Sequence, residues 1–95
     1  GENGEKFAVR VPDESMGDAD IHEGDYVVVS SAGDVEDGSV AAVVGDERPI
    51  VRRVRRENGT LRLEAESPSH EDRTVDADAE DVRVLGPAKG LVRRL

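Results

Sequence analysis

Apolar and polar residues alternate over Phe7-Ala8-Val9-Arg10-Val11, which places Phe7, Val9 and Val11 on one face of a strand. Pro12-Asp13-Glu14 ends that strand, and residues 15 to 24 form a polar turn region with room for one short helical turn over Met16 to Asp20. Asp25 to Ser30 is a second strand, apolar on both sides and therefore expected to be well buried. A loop rich in Gly and Asp, Ser31 to Gly38, leads to a third strand, Ser39 to Val44, whose small residues suit close sheet packing. Gly45-Asp46-Glu47 turns the chain into a fourth strand, Pro49 to Arg56. Glu57-Asn58-Gly59-Thr60 is a hairpin turn, because Asn-Gly readily takes positive φ, and Leu61 to Ala65 alternates as the return strand. Ser67 to Glu80 reads as a long acidic loop without periodicity. Asp81 to Leu85 and Gly90 to Leu95 are the last strands, parted by Gly86-Pro87. Gly1 to Lys6 is polar and expected to fray.

No helical apolar stripe of any length interrupts this pattern. Short strands at roughly ten-residue spacing predict a mostly β domain, a compact β-barrel or β-roll with at most one short helical turn. With 95 residues, one Phe, one Tyr and no Trp, the core falls to Val, Leu, Ile and Ala, among which Val dominates and favours strands. A single domain this small buries limited surface, and a dimer would add to it.

Charge narrows the partners. The net charge of -9 opposes nucleic acid as a whole surface, so DNA binding by these residues is not expected. The 13 basic residues are nearly all Arg, with Lys only at positions 6 and 89. A high-salt proteome and a GC-rich coding bias both account for that skew. The absence of cysteine excludes disulfides and thiol catalysis and fits a reducing cytoplasm. No apolar run approaches the roughly 20 residues of a membrane span. His22 and His70 have no partner spacing for a metal, so neither a metal nor another cofactor is expected.

The candidate chemistry lies at Ser15-Met16, followed nine residues after the serine by Gly24-Asp25 and the apolar strand. A serine in a turn is most often a backbone cap. Here it sits in an ordered series: a Phe-x-Val-x-Val strand, Ser-Met, Ile21, Gly24-Asp25, a hairpin strand, Ile50-Val51-Arg52-Arg53-Val54 and an Asn-Gly turn. That series, over about residues 7 to 95, closely resembles the self-cleaving C-terminal domain of LexA-type repressors and UmuD-like proteins, the S24 peptidase family. Leu63 to Pro68, Val84-Leu85-Gly86 and Leu91-Val92-Arg93 extend the resemblance. Type I signal peptidases have a Ser-Met box one residue shorter and a Pro-Thr pair, which Gly17-Asp18-Ala19 lacks.

The resemblance implies a Ser-Lys dyad in which Ser15 is the nucleophile, backbone N–H groups at the Ser15-Met16 turn hold the oxyanion, and a desolvated lysine takes the serine proton. At the matching lysine position this chain has Arg52, between Ile50 and Val54 on the same strand face. A guanidinium stays protonated in proteins, and a neutral fraction below roughly 1 in 10⁵ at pH 7 makes it no practical base. Lys6 and Lys89 lie elsewhere in the series. Three explanations stand side by side: a natural non-cleaving relative, an introduced inactivating substitution, or a different register or base. In the first two, Arg52 donates to Ser15 or pairs with Asp13 or Glu14; the plain alternative is a solvated strand residue.

By resemblance the domain associates as a homodimer through its C-terminal strands, with Gly90 to Leu95 as the interface. In active relatives it self-cleaves when stimulated by a RecA–single-stranded DNA filament in the SOS response to DNA damage. DNA contact and the scissile Ala-Gly linker would belong to segments upstream of Gly1. The Ala32-Gly33 pair follows the second strand and is expected to be a turn. Arg52-Arg53-Val54-Arg55-Arg56 lacks interleaved aromatics and reads as a sheet surface balanced by acidic loops, and Glu71 to Asp81 as a solvated surface.

Overall fold

The computed structural model describes residues 4–32 and 34–95; residues 1–3 of the segment expected to fray, and Gly33 of the Ala32-Gly33 pair, lie outside them. Seven strands follow in chain order: β1 (Lys6–Arg10), β2 (Tyr26–Ser30), β3 (Ser39–Gly45), β4 (Arg48–Glu57), β5 (Thr60–Glu64), β6 (Arg73–Asp76) and β7 (Val82–Val92). They form one antiparallel sheet in the order β1-β2-β7-β3-β4-β5-β6. The domain is mostly β, as expected, and the one helical element among the described residues is a 3-10 turn over Gly17–Ala19. Closure into a barrel is not observed: the end strands β1 and β6 do not pair with each other.

Two differences from the sequence reading explain that shape. The acidic loop contains β6, which pairs Val75 with Leu61. The Gly86-Pro87 dipeptide does not end a strand. Instead β7 runs through it, pairing with β3 from Val82 to Pro87 and with β2 from Ala88 to Val92. Register shifts at Ala42/Val43 and Val28/Val29 bracket this handover. Bulges of this kind bend a sheet and strengthen its twist.

The bend lets apolar side chains cover both faces of β3. Ala42 and Val51 join Val9, Val11, Met16, Val27 and Val29 in one core. Ala41 and Val43 join Val54, Leu61, Leu63 and Val82 in a second core. Alternation along β3 makes this possible, because neighbouring residues face opposite sides. The small Ala41 and Ala42 allow strands to approach closely on each.

The β3–β4 and β4–β5 hairpins close through two-residue turns. Asn58 and Gly59 take φ 48° and 82°, as the Asn-Gly signal predicts, whereas Asp46 and Glu47 take φ 54° and 66°. Glutamate has no local hydrogen bond to offset that left-handed conformation. Glu47→Gly is therefore expected to stabilise the domain by about 0.5–1 kcal/mol in urea unfolding, the strain relief exceeding the added entropy of glycine. Gly86 (φ 156°) is the opposite case: a Cβ there would collide with the carbonyl oxygen of Ser30. Gly86→Ala should cost about 3 kcal/mol or more. An unchanged midpoint for Gly86→Ala would contradict the bend described here.

Candidate active site

The loop carrying Ser15 is pinched at its neck by main-chain bonds. Val11 N–H donates to Asp25 O (2.8 Å) and Gly24 N–H to Val11 O (3.0 Å), with Gly24 at φ 91°. Inside the neck, Met16 is fully buried in the first core, and its carbonyl accepts from Ala19 (3.0 Å) and Ile21 (3.2 Å). A buried Met side chain of this kind contributes about 2 kcal/mol and fixes the turn against the sheet. The chain after β5 clamps the other side: Glu66 N–H donates to Ser15 O (2.7 Å), and Asp18 N–H to Glu66 O (2.8 Å).

Ser15 is only 1% exposed. Its N–H donates to Asp13 Oδ1 (3.0 Å). Its Oγ accepts a hydrogen bond from Arg52 Nη1 at 2.5 Å, and the same Nη1 donates to Val51 O at 2.8 Å. Of the sequence alternatives for Arg52, the structure has the bond to Ser15; no carboxylate among the described residues forms an ion pair with it. Burial draws the Arg52 guanidinium below its ordinary value, and the charges of Asp13 and Asp72 push back. An arginine starts so far above neutrality that it remains protonated. Burial pushes Asp13 upward, but hydrogen bonds from Ser15 and the Arg52 charge outweigh it and hold the carboxyl below its usual value. A carboxylate held that way is a weak proton acceptor.

The other sequence-selected residues fall in distinct places. Among the described residues nothing accepts the Met16 N–H, which leaves it available to an anion at the Ser15 turn. Lys6 lies across from Ser30 at the start of β1, and Lys89 lines a groove with Asp34, Glu36 and Arg53; Ser15 lines no part of that groove. Arg53 forks onto Glu66 (Nε 3.3 Å, Nη2 3.0 Å) and Arg55 pairs with Glu64 (3.2 Å), which also holds Arg62 (2.8 Å), so two of the four arginines in this basic run are paired with carboxylates. His70 Nδ1 lies 3.1 Å from Ser67 Oγ in its own turn. No group of side chains suited to a metal occurs among the described residues.

Sequence reasoning missed the ionic frame around the loop. Arg93 forks onto buried Asp25, Nε to Oδ1 at 2.9 Å and Nη2 to Oδ2 at 2.8 Å, and also donates to Asp20 O at 2.9 Å. The register explains the meeting, since Tyr26 lies opposite Val92 and the next residues face each other. The Asp of the Gly24-Asp25 motif is thus a structural tie from the loop to the end of β7. Its partner lies 68 residues away and leaves no local pattern to read. His22 is held between Glu14 (2.7 Å) and Asp20 (3.0 Å), and both contacts are hydrogen bonds only when both ring nitrogens carry protons.

The Ser15 turn thus brings together a buried serine, a cation from the neighbouring strand on its Oγ and an amide beside it with no acceptor among the described residues. The Peptidase S24-like family matches residues 1–89, and the chain belongs to that family. Among the described residues no helix is long and apolar enough to cross a membrane.

The ionic frame makes stability depend on pH. Hydrogen bonds from Arg93, then the His22 amide, lower Asp25 from 3.8 to about 2. A depressed carboxyl stabilises the fold above its unfolded value and loses that contribution as pH falls through the folded one. Urea midpoints should therefore drop between pH 4 and pH 2, and Asp25→Asn should flatten this limb while lowering stability at pH 7. Hydrogen bonds to Glu14 and then Asp20 raise His22 above 6.5, so its contribution is complete below that value and disappears at more alkaline pH. A pH 4-to-2 limb of undiminished size in Asp25→Asn would show that the Arg93 tie is not its source.

Proposed function

We propose that this domain is the regulatory domain of a LexA-like transcriptional repressor that has lost self-cleavage and acts through self-association. The bond from Arg52 Nη1 to Ser15 Oγ carries the reading. It puts a cation where the dyad needs a proton acceptor, on a strand face shared with Ile50 and Val54, the setting in which a lysine would be desolvated. In this proposal Arg52 occupies the general-base lysine position, Ser15 is a hydrogen-bond acceptor, and the Met16 amide is a remnant of an oxyanion site. DNA binding belongs to a separate N-terminal domain. RecA-filament stimulation in the SOS response, a cytoplasmic process, belongs to the cleaving relatives this chain resembles.

The test of lost cleavage uses a fluorophosphonate that tags activated serines and a longer chain carrying an upstream Ala-Gly linker. At mildly alkaline pH, Ser15 should remain untagged and the linker whole by intact-mass spectrometry. Arg52→Lys should gain both activities by at least about tenfold, and Ser15→Ala in that background should abolish them. Efficient tagging or cleavage with Arg52 in place overturns the reading.

Self-association through the C-terminal strand is the second part of the proposal. Leu91 and Val92 are 43% and 54% exposed at the end of β7, where one edge pairs with β2 and pairing with β3 has already stopped at Pro87. An apolar strand edge of that kind favours pairing with another strand. Sedimentation should show a concentration-dependent dimer that Leu91→Asp weakens by about tenfold or more. A monomer at all concentrations contradicts the assignment.

A further inference from the structure

Among the described residues, Arg52 uses only one of its nitrogens on the protein. Nη1 is bound to Ser15 Oγ and Val51 O; Nε and Nη2 have no acceptor among the described residues. This separates it from the other half-buried arginines. Arg53, Arg55, Arg62 and Arg73 each lie within 4.0 Å of a carboxylate, and among the described residues Arg52 has none. A partly desolvated cation without an ion pair is costly, and its remaining N–H groups call for an acceptor.

The free edge has a defined chemistry. Nε and Nη2 of a guanidinium form the parallel pair that matches the two oxygens of a carboxylate. The molecule already uses this edge twice, in Arg93 on Asp25 and in Arg53 on Glu66. Arg52 also lines a groove of about 350 Å³ that Ser15 does not line. Pro12, Pro49 and Ile50 are its accessible apolar residues, with buried Leu63 beneath them, and Arg48 and Arg73 are its other cations. Arg73 is engaged by Asp46 (3.2 Å), whereas Arg48 is exposed and forms no ion pair among the described residues. Asp13, Asp46 and Glu71 also line the groove, so its three acidic residues balance its three arginines and the selectivity falls to the geometry of the fork.

We propose that this groove binds a peptide carboxylate, with the Nε/Nη2 edge of Arg52 gripping both oxygens and an adjacent small or apolar side chain resting on Pro49 and Ile50. The inference rests on Arg52 being a fixed cation, and it turns the proposed non-cleaving site into a recognition site. Because Nη1 stays on Ser15 Oγ, the serine acts as the rest that aims the fork.

Binding of acetylated pentapeptides of Ala and Val to the whole chain, measured by calorimetry, tests this. One peptide ends in a free carboxylate, one in an amide, and one carries an internal Asp with an amide end. Either carboxylate peptide should bind at least about tenfold more tightly than the plain amide, and whichever binds more tightly identifies the source of the carboxylate. The preference should vanish in Arg52→Gln. Arg52→Lys should bind the carboxylate peptides several-fold more weakly than the unaltered chain, because it keeps the charge and loses the fork. It serves as the readout if Arg52→Gln does not fold. Equal binding of acid and amide peptides, no binding of any peptide, or a preference undiminished in the Arg52 variants overturns the proposal. Fluorophosphonate tagging of Ser15 overturns the non-cleaving reading alone, and an acid-to-amide ratio near one overturns the carboxylate site while Ser15 stays untagged.

Discussion

A protonated nitrogen of Arg52 lies 2.5 Å from Ser15 Oγ, and the proposed function of this domain depends on that contact. Serine is a weak nucleophile until its proton has somewhere to go, and a guanidinium can only add another donor. In the function proposed above, the contact orders the hydroxyl without activating it. The remainder of the local structure is arranged to keep that contact: Met16 anchors the turn in one core, Glu66 clamps its backbone, and Ile50 and Val54 of the second core flank Arg52 along β4. Adjacent residues of β4 serve two tasks because they face opposite sides. Arg52 reaches Ser15, while Arg53 secures the Glu66 side chain whose backbone holds the same turn.

The sheet makes this arrangement possible by burying β3 on both faces. Few residues in so small a chain are large, and the cores are built mainly of valine and alanine. Bending β7 at Gly86 recovers burial that a flat sheet would lose, since one strand then covers part of each core. The ionic tie from Arg93 to Asp25 fixes the far end of β7 to the neck of the Ser15 loop. Sheet curvature and site geometry are in this way mechanically joined, although they come from distant parts of the sequence.

Strands β1 to β5 were legible as short apolar or alternating runs bounded by turn residues; Asn58-Gly59 fixes a hairpin, and Phe7-x-Val9-x-Val11 marks a face. β6 was not, since Arg73-Thr74-Val75-Asp76 holds one apolar residue in an acidic stretch and becomes a strand only by pairing with β5. The continuity of β7 was hidden by Gly86-Pro87, a pair that ordinarily breaks strands but here sits where pairing passes from β3 to β2. Ser15, Met16 and Arg52 could be selected from spacing and resemblance, and the structure brings all three to one turn. Asp25–Arg93, Glu14–His22 and Glu66 could not, because their roles depend on register and loop packing rather than on motif.

The hydrogen bond itself is open to direct observation. In protein labelled with ¹⁵N-arginine, the account predicts a resolved Arg52 guanidinium signal at neutral pH, with Nη1 protons protected from exchange and hindered in rotation. Ser15→Ala should collapse that signal toward the averaged position of exposed arginines such as Arg94 while the amide spectrum of the fold persists. An Arg52 guanidinium that rotates and exchanges freely with Ser15 intact would contradict the claim that it holds the serine.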